Sequence, residues 1–196
     1  ILDKYLPQEE IEYYYYDQFG SYNSDPSKDS SDWTIGRFVE EVETVRQKLG
    51  LNNSNFFLLG HSWGGLLAME YALQYQENLK GLIISNMMAS IPDYNDYANN
   101  ILGPQMPTEV LSEIRELEAN EDYGNPRYME LLIPYHYEKH VLRIPVDEWP
   151  DEVNNAFANI NQDMYVAMQG PSEFGASGLL RSEERRVGKE CRSRLS

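Results

Sequence analysis

Cysteine is almost absent from this chain: the single one, Cys191, sits close to the end of its 196 residues. A lone thiol excludes an intrachain disulfide and leaves any thiolate metal site with one ligand, a usage that fits a reducing, cytoplasmic compartment. Long apolar runs are missing too, and the longest are far too short to cross the hydrocarbon core of a membrane. Basic residues are scarce, 16 Lys and Arg against 32 Asp and Glu, for a net charge of −16. That balance argues against nucleic acid or an anionic membrane as a partner. No motif calls for a metal or other cofactor. A leader of charged then apolar residues is lacking as well. Position 1 is Ile, and Leu2-Asp3-Lys4-Tyr5-Leu6-Pro7 reads as the middle of something, so a fragment is expected.

What is present is ordinary for a globular protein: 41% hydrophobic and 24% charged residues, in a length that suits one domain with a proper core. The charge is uneven. Residues 181–196 hold six basic and three acidic side chains, so the body, 1–180, keeps 10 basic and 29 acidic residues, a net charge of −19. The segment 181–196 is of opposite sign, poor in apolar residues, and reads as a non-native tail of the kind a sequencing adapter would encode.

Along the body, Ile11 to Tyr16 is rich in strand-forming aromatics and reads as a strand, followed by a loop dense in Ser, Asp, Asn and Pro over 21–31. A helix is predicted over 34–49: Ile35, Phe38, Val39, Val42, Val45 and Leu49 share one face. Glu40, Glu41, Glu43, Gln47 and Lys48 cover the other, and Gly50 is the stop. Residues 55–59 (Asn55-Phe56-Phe57-Leu58-Leu59) read as a buried strand, 65–76 as a helix and 79–85 as a further strand. Alternation of this kind is the signature of an α/β fold with a parallel sheet and flanking helices. Beyond Asn86 the apolar strands stop. A helix with a Thr cap is predicted over 107–120, and helical stretches follow around 125–140 and 150–168, separated by Pro145 and Pro150. An all-helical insertion after a β/α core reads as a cap over a site. The expected division is 1–88 core, 89–180 cap and 181–196 tail.

Between strand and helix stands Gly60-His61-Ser62-Trp63-Gly64. A bare G-x-S-x-G arises by chance in roughly one chain of this length in fifteen, so its context decides. Strand before and helix after is the context of a nucleophile elbow, in which the serine stands exposed on a sharp, strained turn. Gly60 and Gly64 are the residues expected to make room for that turn, Ser62 is the candidate nucleophile, and the Trp63 backbone N–H the candidate oxyanion donor.

A nucleophilic serine needs a base and the base an orienting acid. Of three histidines, His61 directly precedes Ser62, cannot fold back onto it, and reads as a packing residue of the elbow. His136 and His140 stand four apart in the helical insertion without the Glu of an H-E-x-x-H motif, which favours a cap or core role over a metal. The sequence supplies a nucleophile without its partners.

Four separated motifs together resemble the proline iminopeptidase (prolyl aminopeptidase) family of α/β-hydrolases. They are Tyr16-Asp17-Gln18-Phe19-Gly20-Ser21; Trp33-Thr34-Ile35 with Phe38-Val39-Glu40-Glu41-Val42-Glu43; Gly60-His61-Ser62-Trp63-Gly64-Gly65; and Gly170-Pro171-Ser172-Glu173-Phe174-Gly175. The resemblance implies a partial α/β-hydrolase core with a helical cap inserted after the third visible strand. It also implies release of an N-terminal residue, preferably proline, from a small peptide with a free amino terminus. On that likeness Ser62 is the nucleophile, Glu173 binds the substrate's α-amine, and Tyr165 lines that pocket. The family's oxyanion loop would precede residue 1, and its catalytic Asp and His would follow residue 180. An uncovered face on the two helices of the core, and a catalytically silent polypeptide, are therefore expected. Another capped α/β-hydrolase, an esterase or amidase, is the alternative reading.

Overall fold

The computed structural model describes residues 2–27 and 29–179; the expected tail, 181–196, with Cys191, lies outside them. Thr34 opens the first helix, α1 (Ile35–Lys48), its Oγ1 accepting the Arg37 N–H at 3.2 Å, a cap worth about 1 kcal/mol. Gly50, at φ 66, ends it in the left-handed region that glycine tolerates. Strand β1 (Phe57–His61) leads into α2 (Trp63–Tyr75), and β2 (Gly81–Ser85) lies parallel to β1 with Phe57 opposite Gly81 and Gly60 opposite Ile84. Parallel neighbours require a crossover, which α2 supplies.

Phe38 and Val39 of α1, Leu67 and Tyr71 of α2 and Phe56 form one buried cluster, and Ile91, Met164, Met168 and Ala176 from later in the chain join it. Beyond β2 the chain is helical: α3 (Ile91–Tyr97), α4 (Thr108–Ala119), α5 (Pro126–Leu132), a π-helix at Ile133–Val141, α6 (Asp151–Asn159) and α7 (Gln162–Met168). Ile114, Tyr128, Leu132, Tyr137 and Phe174 form a second buried cluster there.

Several expectations are corrected. Residues 11–16 form no strand: a strand needs a ladder partner, and the described residues give it none, so the visible strands number two. The sheet is not buried either. Phe57, Leu59 and Ile83 are 54%, 46% and 47% exposed on one face, and Leu82 and Ile84 of β2 are exposed on the other; the uncovered apolar surface is on the sheet, whereas the apolar stripe of α1 is buried through Val42. Leu49, at the end of that stripe, is exposed.

Glu43, assigned by polarity to the solvent face of α1, is buried. Arg46 grips its carboxylate with two N–H groups at 2.6 and 2.8 Å, and the Tyr71 hydroxyl donates to it at 2.7 Å. Those bonds hold its pKa down at about 2. The cap of α4 is also different: Pro107 precedes the helix and Thr108 is its first residue, with no side-chain cap bond.

Candidate active site

Ser62 joins β1 to α2 with φ 52 and ψ −126, outside every region an L-residue occupies without strain. Its N–H donates to Ser85 O at 3.0 Å, which pins the elbow to the end of β2, and its own carbonyl accepts the Gly65 N–H at 2.7 Å. A methyl group on Gly60 would overlap the Gly64 carbonyl and lie 2.7 Å from Gly65 Cα, so only glycine passes there. Gly64 is different from its expectation: a Cβ on it meets nothing within 4 Å. The tight position is Gly65, where a Cβ would lie 2.8 Å from Met87 Cβ and 3.3 Å from Gly60 O. The turn packs through the second glycine of the pair because Gly64 sits on the outer side of the first turn of α2.

Trp63 is the first residue of α2, so its backbone N–H has no partner within the helix and is free to donate forward. Its indole packs edge-on against Phe38, centroids 5.5 Å apart, and donates to Gln18 Oε1 at 3.0 Å. His61 is exposed, contrary to a packing role; its Nε2 accepts from Asn86 Nδ2 at 3.2 Å. Asn86, at φ 50, is a second strained residue beside the elbow. Among the described residues no side chain hydrogen-bonds to Ser62 Oγ, and no group of three or more His, Cys, Asp or Glu is placed to hold a metal.

In the helical half, Glu173 is gripped from every side. Its carbonyl accepts from the Tyr94 hydroxyl and, at 3.1 Å, from His136 Nε2–H. Its N–H donates to the Tyr137 hydroxyl at 3.1 Å. The carboxylate accepts the Tyr165 hydroxyl at 2.6 Å on Oε1 and the Gln169 amide at 3.2 Å on Oε2. Burial, reinforced by the Glu173 charge, pushes the Tyr165 hydroxyl well above its usual range, so it stays a donor. Burial lowers His136 to about 4, which keeps the ring neutral and able to serve as a one-proton donor to the carbonyl. The resemblance named Glu173 and Tyr165, which the structure places in contact; Tyr94, His136, Tyr137 and Gln169, which join them, were not named for this network.

The elbow and this network are linked by the Asp17–Ser21 loop. Gln18 holds Trp63, while Gly20 O accepts from Asn161 Nδ2 at 2.8 Å at the start of α7, the helix carrying Tyr165. Trp63 and Tyr94 both pack against the cluster that contains Met164, Met168 and Ala176. A cleft of about 450 Å³ lies elsewhere, lined by Asn95, Arg115, Glu118 and Phe174, and takes in neither Ser62 nor Glu173.

A parallel pair crossed by a helix, a strained serine between them and a helical insertion behind is the pattern of one superfamily, and the model of the alpha/beta hydrolase fold family matches residues 2–159. The chain belongs to the α/β-hydrolase fold family. Within the α/β-hydrolases it is similar to the proline iminopeptidase of Flavobacterium johnsoniae, 56% identical over 178 residues, which are 91% of this chain and 59% of that one. Two solved structures are similar: VinJ, at TM-score 0.75 and 30% identity over 84% of this chain and 55% of that one, and the proline iminopeptidase of Mycobacterium smegmatis, at TM-score 0.66 and 31% identity over 83% and 54%. The chain therefore spans less than two thirds of the α/β-hydrolases it matches. Among the described residues no helix is long and apolar enough to cross a membrane.

Proposed function

We propose that this chain is the nucleophile-bearing and amine-binding part of a serine aminopeptidase that releases N-terminal proline from small peptides. The observation that carries the reading is the backbone of Ser62, a non-glycine residue held at φ 52 and ψ −126 between a strand and a helix. Strain of that kind costs about 1–3 kcal/mol and persists where a turn must present a reactive side chain.

In this mechanism Ser62 Oγ attacks the carbonyl carbon of the substrate's first residue, and its proton passes to a base. The developing oxyanion lies against the Trp63 N–H, with the field of the α2 N-terminus behind it. Collapse of the tetrahedral species expels the peptide's amine, which takes up the proton, and leaves an acyl-serine that water hydrolyses. His61 is engaged by Asn86, His136 by Glu173 O, and among the described residues no histidine, His140 included, hydrogen-bonds to Ser62 Oγ, so the base and its orienting acid are assigned to the part of the longer relatives that this chain does not span.

Residues 89–179 act as the cap, and Glu173 receives the protonated α-amine of the substrate. A carboxylate fixed by donors in a half-buried setting gives a charge-assisted contact of the kind a free amino terminus requires. Identity of 56% to a protein named proline iminopeptidase supports proline as the residue released.

The test completes the chain with the flanking segments of the Flavobacterium johnsoniae relative. A phosphonate inhibitor is expected to label Ser62, and prolyl-anilide turnover to exceed that of an N-acetylated prolyl-anilide or a simple ester. Labelling at another residue overturns the nucleophile. Preference for the ester or the blocked substrate turns the reading to an esterase or amidase.

A further inference from the structure

The loop that carries Glu173 is closed at its base by one residue. Gln169 O accepts the N–H groups of both Ser177 and Gly178 at 2.9 Å, so residues 170–178 leave and return at the same carbonyl. Gly170, at φ 129, starts the loop in a region reserved for glycine. Within it, Ser172 and Gly175 form a one-pair antiparallel bridge that leaves Glu173 and Phe174 at the tip. Phe174 is driven into the second core cluster, and the peptide of Glu173 is held by Tyr94, His136 and Tyr137.

With the backbone fixed on both sides, the remaining freedom of Glu173 is rotation of its side chain. Two donors remove it. Tyr165 takes Oε1 and Gln169 Nε2 takes Oε2. Gln169 is 4% exposed, so its amide lies where an unsatisfied polar group is costly, and its N–H groups are directed at Glu173 Oε2 and, at 3.3 Å, the Tyr165 oxygen. An ionised carboxylate only accepts, which fixes the amide with nitrogen toward it. Each carboxylate oxygen then has one lone-pair direction filled by protein and another left over.

We infer that Gln169 is a positioning residue: it holds Glu173 Oε2 so that the carboxylate faces an incoming ammonium group already oriented. The inference rests on the proposed amine-binding role of Glu173. Preorganisation of this kind strengthens binding by removing the entropy that a free glutamate would lose on meeting its ligand. It also separates Gln169 from a loop staple, since the stapling is done by its backbone carbonyl and the positioning by its side chain.

The test uses the 196-residue chain as it stands and needs no turnover. L-prolinamide and N-acetyl-L-prolinamide are titrated into wild type, Gln169→Met and Glu173→Gln, with binding followed by NMR and folding checked by thermal melts. Met matches Gln in size, keeps the backbone carbonyl and lacks the donors. Wild type is expected to bind prolinamide at least tenfold tighter than the acetylated compound. Gln169→Met is expected to lose about tenfold on prolinamide and nothing on the acetylated compound, the scale of one hydrogen bond to a charged group. The side-chain amide resonances of Gln169 are expected to move with prolinamide alone, a readout that stands even if the variant folds poorly. Prolinamide binding that is abolished in Glu173→Gln but unchanged in Gln169→Met overturns the role of Gln169 and leaves that of Glu173 intact. Binding unchanged in Glu173→Gln, or absent in wild type, removes the amine-binding reading itself.

Discussion

Three glycines cluster at the elbow, and alanine at each is expected to do something different. At Gly60 the added Cβ would meet backbone, the Gly64 carbonyl and, at 2.7 Å, Gly65 Cα. Backbone has no rotamer by which to move aside, so the turn itself must open. Overpacking a core commonly costs 1–3 kcal/mol, and a clash with backbone should reach about 3 kcal/mol or more. At Gly65 the neighbours are Met87 Cβ at 2.8 Å and Gly60 O at 3.3 Å. There the segment after β2 can yield somewhat, for a cost of about 1–2 kcal/mol. At Gly64 nothing lies within 4 Å, its φ is not positive, and it sits in the first turn of α2. Alanine there gains helix propensity and reduces the freedom of the unfolded chain, which stabilises by about 0.5 kcal/mol. For a protein of this size 1 kcal/mol moves Tm by roughly 2–4 °C. Thermal melts of the 196-residue chain should therefore place Gly60→Ala more than about 6 °C below wild type, Gly65→Ala between, and Gly64→Ala level or slightly above. If Gly64→Ala were as damaging as Gly60→Ala, the packing account of the elbow would be wrong.

In the completed enzyme, Ser62→Ala should lower kcat by more than about three powers of ten in a prolyl-anilide assay, as loss of a nucleophile does; undiminished turnover would sink the assignment. Glu173→Gln should cost about 2–4 kcal/mol in kcat/KM on substrates with a free amine and little on esters or N-acetylated substrates; equal losses on both would reduce Glu173 to a support of the cap. Acid should weaken the fold in two windows. The unfolded chain protonates His136 near the ordinary histidine value of 6.5 while the folded one resists until about 4, so stability falls as pH drops through that interval, by roughly 3 kcal/mol. The lowered pKa of Glu43 gives stability that is present above 4.5 and is lost as pH falls toward about 2, by roughly 2 kcal/mol. Urea midpoints against pH should lose the upper step in His136→Gln and the lower one in Glu43→Gln; a step that survives its own substitution contradicts its assignment.

The elbow was legible in the sequence because its requirements are local. An apolar strand, a glycine that only the turn explains, a serine and a helix follow one another within a few residues, and each has its own chemical signature; the second tight glycine was misplaced by one residue, at Gly64 instead of Gly65. The apolar stripe of α1 and the Gly50 stop were legible for the same reason, whereas Thr34, counted into the helix, is its cap. Glu43 was not, because a helical wheel sorts residues by polarity, while burial here is made tolerable by Arg46 and by Tyr71, which lies 28 residues away. The strand expected at 11–16 fails for a related reason: aromatic content favours the extended state, but only a partner strand makes it a strand. The π-helix carries a weak signal that went unread. Pro134 has no N–H to give to the carbonyl four residues back, so the α-helical ladder of α5 stops at Leu132 and the chain continues with a wider turn.

That wider turn matters for the site. It presents His136 and Tyr137, adjacent in sequence, to the carbonyl and the N–H of the same residue, Glu173. Tyr94 comes to the same carbonyl from α3, and Tyr165 and Gln169 to the carboxylate from α7 and its end. Five side chains from three separate stretches thus converge on one residue, and no local pattern in any stretch announces it. What made Glu173 legible was a resemblance of four motifs, whereas the grip on it belongs to the fold. The Asp17–Ser21 loop ties the elbow to the start of α7. Its Gln18 fixes the indole beside the nucleophile and its Gly20 carbonyl fixes the start of α7, so the serine that would attack and the carboxylate that would hold the amine are referenced to one short loop. A substrate spanning the two must meet both at a set separation, and a loop bonded to the indole next to the serine and to the start of the helix that carries Tyr165 is a direct way to set it.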